Sequence, residues 1–211
     1  MIIEFYGDSF SFDSYGWPSM LADRLSHKIL NHSISVSSIT ETISLLRTRD
    51  TLGDIVCITI SSPDRIYHPD YLIHPTLTSK SHTLIPKKHT VEFSDEIETA
   101  IKYYFAYLEN DTNRSVRYEC QFNWLLSFTN KFPNTKFVLL PCFESTNIIV
   151  DNYNSIITNP KLIDIWLKNK RGVPDVNHMT LLQNKQLADQ LYELLINYDS
   201  NKSKIKDIIF K

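Results

Sequence analysis

Two short stretches near opposite ends of the chain hold residue types suited to nucleophilic chemistry. "MIIEFYGDSFSF" sets Gly7-Asp8-Ser9 directly after an apolar run. "RGVPDVNHMTLLQNKQL" sets Asp175 three residues before His178. A serine hydroxyl is a poor nucleophile until a neighbouring base takes its proton. Histidine suits that task because its pKa lies near neutrality. In a D-x-x-H turn the carboxylate can reach imidazole Nδ1 and fix the tautomer, which leaves Nε2 for the serine. Alone, a Gly-Asp-Ser triplet is more often a turn than a nucleophile; its pairing with D-x-x-H gives it a chemical reading. Asp8 is read as a brace that hydrogen-bonds the backbone of the turn.

The elements around these stretches must bring them together. "MIIEFYG" reads as a buried strand ending at Gly7. "GWPSMLADRLSHKI" spaces Trp17, Met20, Leu21 and Leu25 along one helix face, with Pro18 in its first turn. "ILNHSIS" reads as a second strand, and "SSITETISLLRTRD" as a helix capped at Ser38 or Thr40. "DIVCITI" (54–60) and "TKFVLLP" (135–141) are the clearest strands. Two helical patterns lie between them, one starting at Ser94 and one running from about Val116 to Phe132. The last helix follows a Thr180 cap and turns Leu182, Leu187, Leu191, Leu194 and Leu195 to one side. Strands alternating with helices predict a parallel sheet in one three-layer α/β domain covering 1–211. Ligands of such sheets sit beyond the carboxyl ends of the strands. Gly7-Asp8-Ser9 falls at one such end, and Ser61-Ser62-Pro63-Asp64-Arg65 at another. The His- and Pro-rich segment 66–93 is too long for an ordinary connection and reads as a loop excursion or lid.

Other candidates are weaker. His68, His74, His82 and His89 follow no zinc spacing and no acidic or Cys cluster accompanies them, so no metal is expected. His27 and His32 read as surface or strand residues. Of Tyr103, Tyr104, Phe105 and Tyr107, adjacent on one helix, most should be core, with one or two left to line a surface. Cys57, Cys120 and Cys142 are an odd, widely spaced set without C-x-x-C, and Cys57 and Cys142 fall in apolar runs, which reads as buried free thiols. A net charge of −2 over 211 residues points to neither nucleic acid nor an anionic membrane. No apolar run approaches the ~20 residues that span a bilayer. No signal peptide is visible, and a cytoplasmic location is the expectation.

Gly7-Asp8-Ser9 together with Asp175-Val176-Asn177-His178 resembles the SGNH/GDSL hydrolases, over almost the whole chain. "IKYYFAYLEN", "FVLLPCFES" and "VPDVNHMT" are similar to a subgroup found in bacteria and phages. The resemblance implies a flavodoxin-like parallel sheet of about five strands. It implies Ser9 as nucleophile, His178 as general base and Asp175 as its orienting acid, with no cofactor. It further implies a small acyl ester or glycan substrate, with an O-acetyl group on a carbohydrate as the class to test.

The chain departs from the family pattern at the oxyanion site. The family adds to the nucleophile's N–H a glycine after the second strand and an asparagine after the third. Here those blocks read "NHSISVSSITE" and "SSPDRI". The first leaves the donor to a backbone N–H of Val36, Ser37 or Ser38, and the second to Ser62 or Arg65. Arg65 is also a candidate partner for an acidic substrate group. Losing one oxyanion donor typically costs ~10²–10³ in rate. Three readings follow: an esterase, a binding module of the same fold without turnover, or an acyltransferase to a sugar acceptor.

Overall fold

Apolar runs whose alternate residues face opposite ways form the centre of the protein. The computed structural model describes residues 1–13, 15–35, 37–63, 65–67, 71–75, 82–86, 95–143, 153–158, 162 and 177–210. In chain order the elements are β1 (Ile2–Tyr6), α1 (Trp17–Leu25), β2 (Lys28–Asn31), α2 (Ile39–Arg47) and β3 (Ile55–Ile60). Then come β4 (Ile66–Tyr67), β5 (Tyr71–Pro75), β6 (His82–Pro86), α3 (Asp95–Tyr103) with a π-helical turn at Tyr104–Leu108, and α4 (Asp111–Thr129). The chain closes with β7 (Lys136–Pro141), β8 (Ile156–Thr158), α5 (Leu181–Ile196), α6 (Tyr198–Asn201) and β9 (Lys204–Lys206).

Six strands pair in the order β2-β1-β3-β7-β8-β9, and every pairing is parallel. β3 is buried along its whole length, as a central strand covered on both faces must be. Successive residues divide between two cores. Ile55 and Cys57 of β3 and Val138 and Leu140 of β7 pack with Trp17 and Leu21 of α1 and with Leu187 and Leu191 of α5. Val56, Ile58 and Ile60 of β3 and Phe137 and Leu139 of β7 pack with Leu46 of α2 and with Phe122 and Leu125 of α4. The protein is therefore a three-layer α/β/α structure, as its sequence predicts, with six strands in place of about five. The two strands the sequence reading lacks, β8 and β9, have three residues each. β9 reads Lys-Ile-Lys, an edge strand whose lysines guard its unpaired side.

Other departures have local causes. Helix α4 begins at Asp111, well before the apolar period shows, because the Asn110 side chain accepts the Asn113 N–H at 2.9 Å and caps a polar first turn. Of the two cap candidates for α2, Ser38 is the one whose Oγ accepts the Glu41 N–H, at 3.2 Å. Within 66–93, β4, β5 and β6 form an antiparallel three-stranded sheet. Pro86 lies on the edge strand β6, and Pro75 ends β5 beyond its pairing with β4, so neither breaks a two-sided ladder.

Candidate functional site

In the strand order, β1 lies between β2 and β3. The chain leaves β1 for α1 on one face of the sheet and leaves β2 for α2 on the other. Such a switch point opens a crevice at the strands' carboxyl ends. The loop after β1 lies there and is tightly specified. Gly7 has φ +127°, and a Cβ on it would lie 2.1 Å from Thr59 Oγ1 and 2.2 Å from Thr59 O. Only glycine fits both the conformation and the space. The buried Asp8 donates its N–H to Thr59 Oγ1 at 3.1 Å, while its Oδ1 accepts the Phe10 N–H at 3.1 Å. It braces the turn, and it also carries an ion pair. Ser11 Oγ lies 2.8 Å from Ser33 Oγ and 2.7 Å from Thr59 Oγ1, joining the ends of β1, β2 and β3.

Ser9 sits half-buried in this turn. Neither its N–H nor its Oγ enters a hydrogen bond with another described residue. Among the described residues nothing takes up the hydroxyl, and the N–H spends no bond on them.

The turn before α5 comes to the same place. Asn177 and His178 both take left-handed backbone, at φ 53° and 63°. Adjacent non-glycine residues in that region are uncommon and cluster at functional sites. Asn177 grips the Ser9 loop from both sides: its Oδ1 accepts the Asp13 N–H at 2.8 Å and its Nδ2 donates to Asp13 O at 2.7 Å. The His178 ring then lies 4.9 Å from that of Phe10, the residue next to Ser9. Thr180 closes the turn with a capping box to Gln183. Further along, Asn184 Oδ1 accepts the Trp17 N–H at 2.8 Å and joins α5 to the start of α1. Asp175 lies outside the described residues.

Arg65 reaches the same crevice from the turn after β3. Its Nη1 donates to Asp8 Oδ2 at 2.8 Å and to Ser37 O at 3.1 Å. Its Cζ lies 5.0 Å from the centre of the Phe143 ring, which packs edge-on against Phe10. Burial pushes the Asp8 carboxyl upward; the Arg65 charge, the Phe10 N–H, the His178 charge and Thr59 pull it back without fully offsetting that rise. Burial also pushes the nearby Cys142 thiol well up, and the Asp8 charge adds to the effect. That thiol is held protonated and is no competing nucleophile.

The remaining candidates divide by what they already bond. Ser37 spends its N–H on Ile34 O and its Oγ on Gly7 O, at 3.0 and 2.7 Å. Ser38 uses its Oγ as the α2 cap, while its N–H enters no hydrogen bond with a described residue. Ser62 O accepts the Arg65 N–H at 3.2 Å. Ser61 Oγ is buried without a partner. Val36, His68 and His89 lie outside the described residues. His32 stacks on Tyr6 at 4.8 Å, close to Glu4. Among the described residues no group of three or more His, Cys, Asp or Glu could hold a metal, and no helix is long and apolar enough to cross a membrane. The sequence reading missed Asn177, Asp13 and Thr59. The one local signal was the asparagine before His178, a residue type that tolerates left-handed backbone.

Comparison with known proteins gives fold-level likenesses. No family model matches the chain, and no curated protein does. Its structural neighbours include GDSL-like lipases and acetyl xylan esterases, at low sequence identity. An acetyl xylan esterase is 14% identical, with 92% of this chain and 100% of that one covered and a TM-score of 0.47. A GDSL-like lipase from Parabacteroides merdae is 15% identical, with 96% of each chain covered and a TM-score of 0.46. An acetyl xylan esterase from the rumen bacterium Butyrivibrio proteoclasticus is 10% identical, with 95% of this chain and 64% of that one covered and a TM-score of 0.47.

Proposed function

We propose that the protein is a serine hydrolase of acyl esters. Ser9 is the nucleophile, His178 the general base and Asp175 the carboxylate that orients it. The observation that carries this reading is the meeting of two distant turns: Asn177 clasps Asp13 on both backbone atoms, and the His178 ring lies 4.9 Å from that of Phe10. Ser9, between Asp8 and Phe10, has a hydroxyl that no described residue binds. Catalytic hydrogen bonds often tighten only once substrate is present.

In the reaction, Ser9 Oγ bonds to the ester carbonyl carbon as His178 takes its proton. The tetrahedral intermediate collapses, the C–O bond to the alcohol breaks, and His178 returns the proton to the departing oxygen. Water, activated by the same imidazole, then releases the acid and frees Ser9. The Ser9 N–H is one donor to the oxyanion, and among the described residues the Ser38 N–H is the second-block candidate that remains unspent. The substrate class is a small acyl ester, with O-acetylated carbohydrate first among those to try, on the resemblance of the two motifs.

The test is labelling with a fluorophosphonate probe alongside hydrolysis of p-nitrophenyl acetate. Wild type is expected to label and turn over. Ser9→Ala should do neither, and His178→Ala should lose about 10²–10⁴ in kcat with its melting temperature preserved. Absence of labelling in wild type, or equal labelling of Ser9→Ala, rejects the reading. Release of acetate from an acetylated xylan, compared with transfer to an added sugar, separates hydrolysis from acyl transfer.

A further inference from the structure

The Arg65 guanidinium is only half used. Nη1 spends both of its hydrogens, on Asp8 Oδ2 and Ser37 O. Nε is buried with no partner, and Nη2 makes no hydrogen bond to a described residue. The side chain is 5% exposed and that of Asp8 is 0% exposed. A buried guanidinium N–H without an acceptor is costly to keep. The unspent Nε–Nη2 edge belongs to a group fixed against the residue that precedes Ser9. An acceptor brought by a ligand would satisfy it.

Two acceptors are possible: a carboxylate carried permanently by the substrate, or the oxygen that becomes negative when the ester is attacked. Charge decides between them. Asp8 already balances Arg65 in a buried pair, so a permanent carboxylate would leave the crevice with an uncompensated negative charge. The oxyanion adds no net charge, because the proton that leaves Ser9 makes His178 cationic in the same step. We propose, resting on the esterase reading above, that Arg65 is the charged oxyanion donor of this site and that Asp8 is the positioning residue that fixes it. As the Ser9 Oγ–carbon bond forms, the carbonyl π pair moves onto oxygen and the Nε–Nη2 edge donates to it. When the pair returns, the bond to the alcohol breaks and His178 protonates the leaving oxygen. Bonds to loops after β1 and β2 hold the guanidinium in advance, so it need not reorganise as charge develops.

The experiment compares wild type, Arg65→Lys and the double variant Asp8→Asn/Arg65→Met in p-nitrophenyl acetate hydrolysis and fluorophosphonate labelling. The double variant removes both charges, so no unpaired buried charge opposes folding, and Asp8→Asn keeps an oxygen for the Phe10 N–H. It is the variant to read if Arg65→Lys does not fold. Both should lose about 10²–10³ in kcat with KM within about threefold of wild type. Labelling of Ser9 should slow in parallel. Asp8→Asn alone should lose about tenfold in kcat, since Arg65 stays but is less firmly held. Ser9-dependent turnover at wild-type kcat in a folded Arg65 variant overturns this inference and leaves the esterase reading standing. So does a raised KM confined to an ester bearing a carboxylate, which assigns the edge to substrate binding. A wild type that neither labels at Ser9 nor turns over overturns both.

Discussion

Gly7 carries more of the site's geometry than its size suggests. At φ +127°, with Thr59 Oγ1 and Thr59 O both about 2 Å from where a Cβ would stand, it lets the chain turn against β3. Without that approach Asp8 could not donate to Thr59. Replacing Gly7 with Ala should cost about 3 kcal/mol or more, as strain at a position with no space does. A denaturant midpoint unchanged in Gly7→Ala would show that the turn is not built this way. Arg65 and Asp8, 57 residues apart, show the opposite dependence. Both residue types were visible as candidates, but their pairing needed the strand order.

The joint between the turn before α5 and the loop after β1 belongs to the scale of elements. Asn177 supplies both bonds to Asp13 and sits in left-handed backbone. Asn177→Ala should destabilise by about 1–3 kcal/mol and lower kcat more than it raises KM. Asn177→Gly keeps the backbone conformation and loses only the two bonds, so it separates the causes. If stability and kcat of Asn177→Ala both match wild type, the joint is not what places His178. The cap of α5 and the apolar face of that helix were legible in sequence because they depend on residues three or four apart. The Asn177–Asp13 clasp was not, because its partners are separated by 164 residues.

Acid sensitivity is a property of the whole molecule. Arg117 binds Glu109 at 2.7 and 2.9 Å and Pro63 O at 2.7 Å, tying α4 and the residue before its cap to the turn that bears Arg65. The Arg117 hydrogen bonds hold the Glu109 carboxyl below its ordinary range against the pull of desolvation. A folded pKa below the unfolded one gives stability that is complete above the unfolded value of about 4.3 and is lost as pH falls through the folded value. His32 acts in the same direction at higher pH: burial, then the Arg49 charge, lowers it, so its contribution is lost as pH falls below about 6.5. The wild-type advantage over Glu109→Gln in urea midpoint should therefore hold from neutral pH to about pH 5 and shrink as pH falls from about 5 to 3, with the His32 effect common to both proteins. A difference that stays constant across that range would contradict the assignment.

Local chemistry in the sequence determined the buried strands β3 and β7, the parallel α/β class, the glycine turn after β1 and the capped turn before the last helix. Each depends on residues a few positions apart, where period and turn chemistry act. Tertiary structure decided which strands lie side by side, added β8 and β9, whose three residues are too short to show a period, and set six strands in one sheet. It also decided that Arg65 faces Asp8 and that Asn177 holds Asp13. Those contacts follow from strand order and helix placement, which no local pattern encodes, because the free energy that selects them comes from burying the two faces of the sheet together.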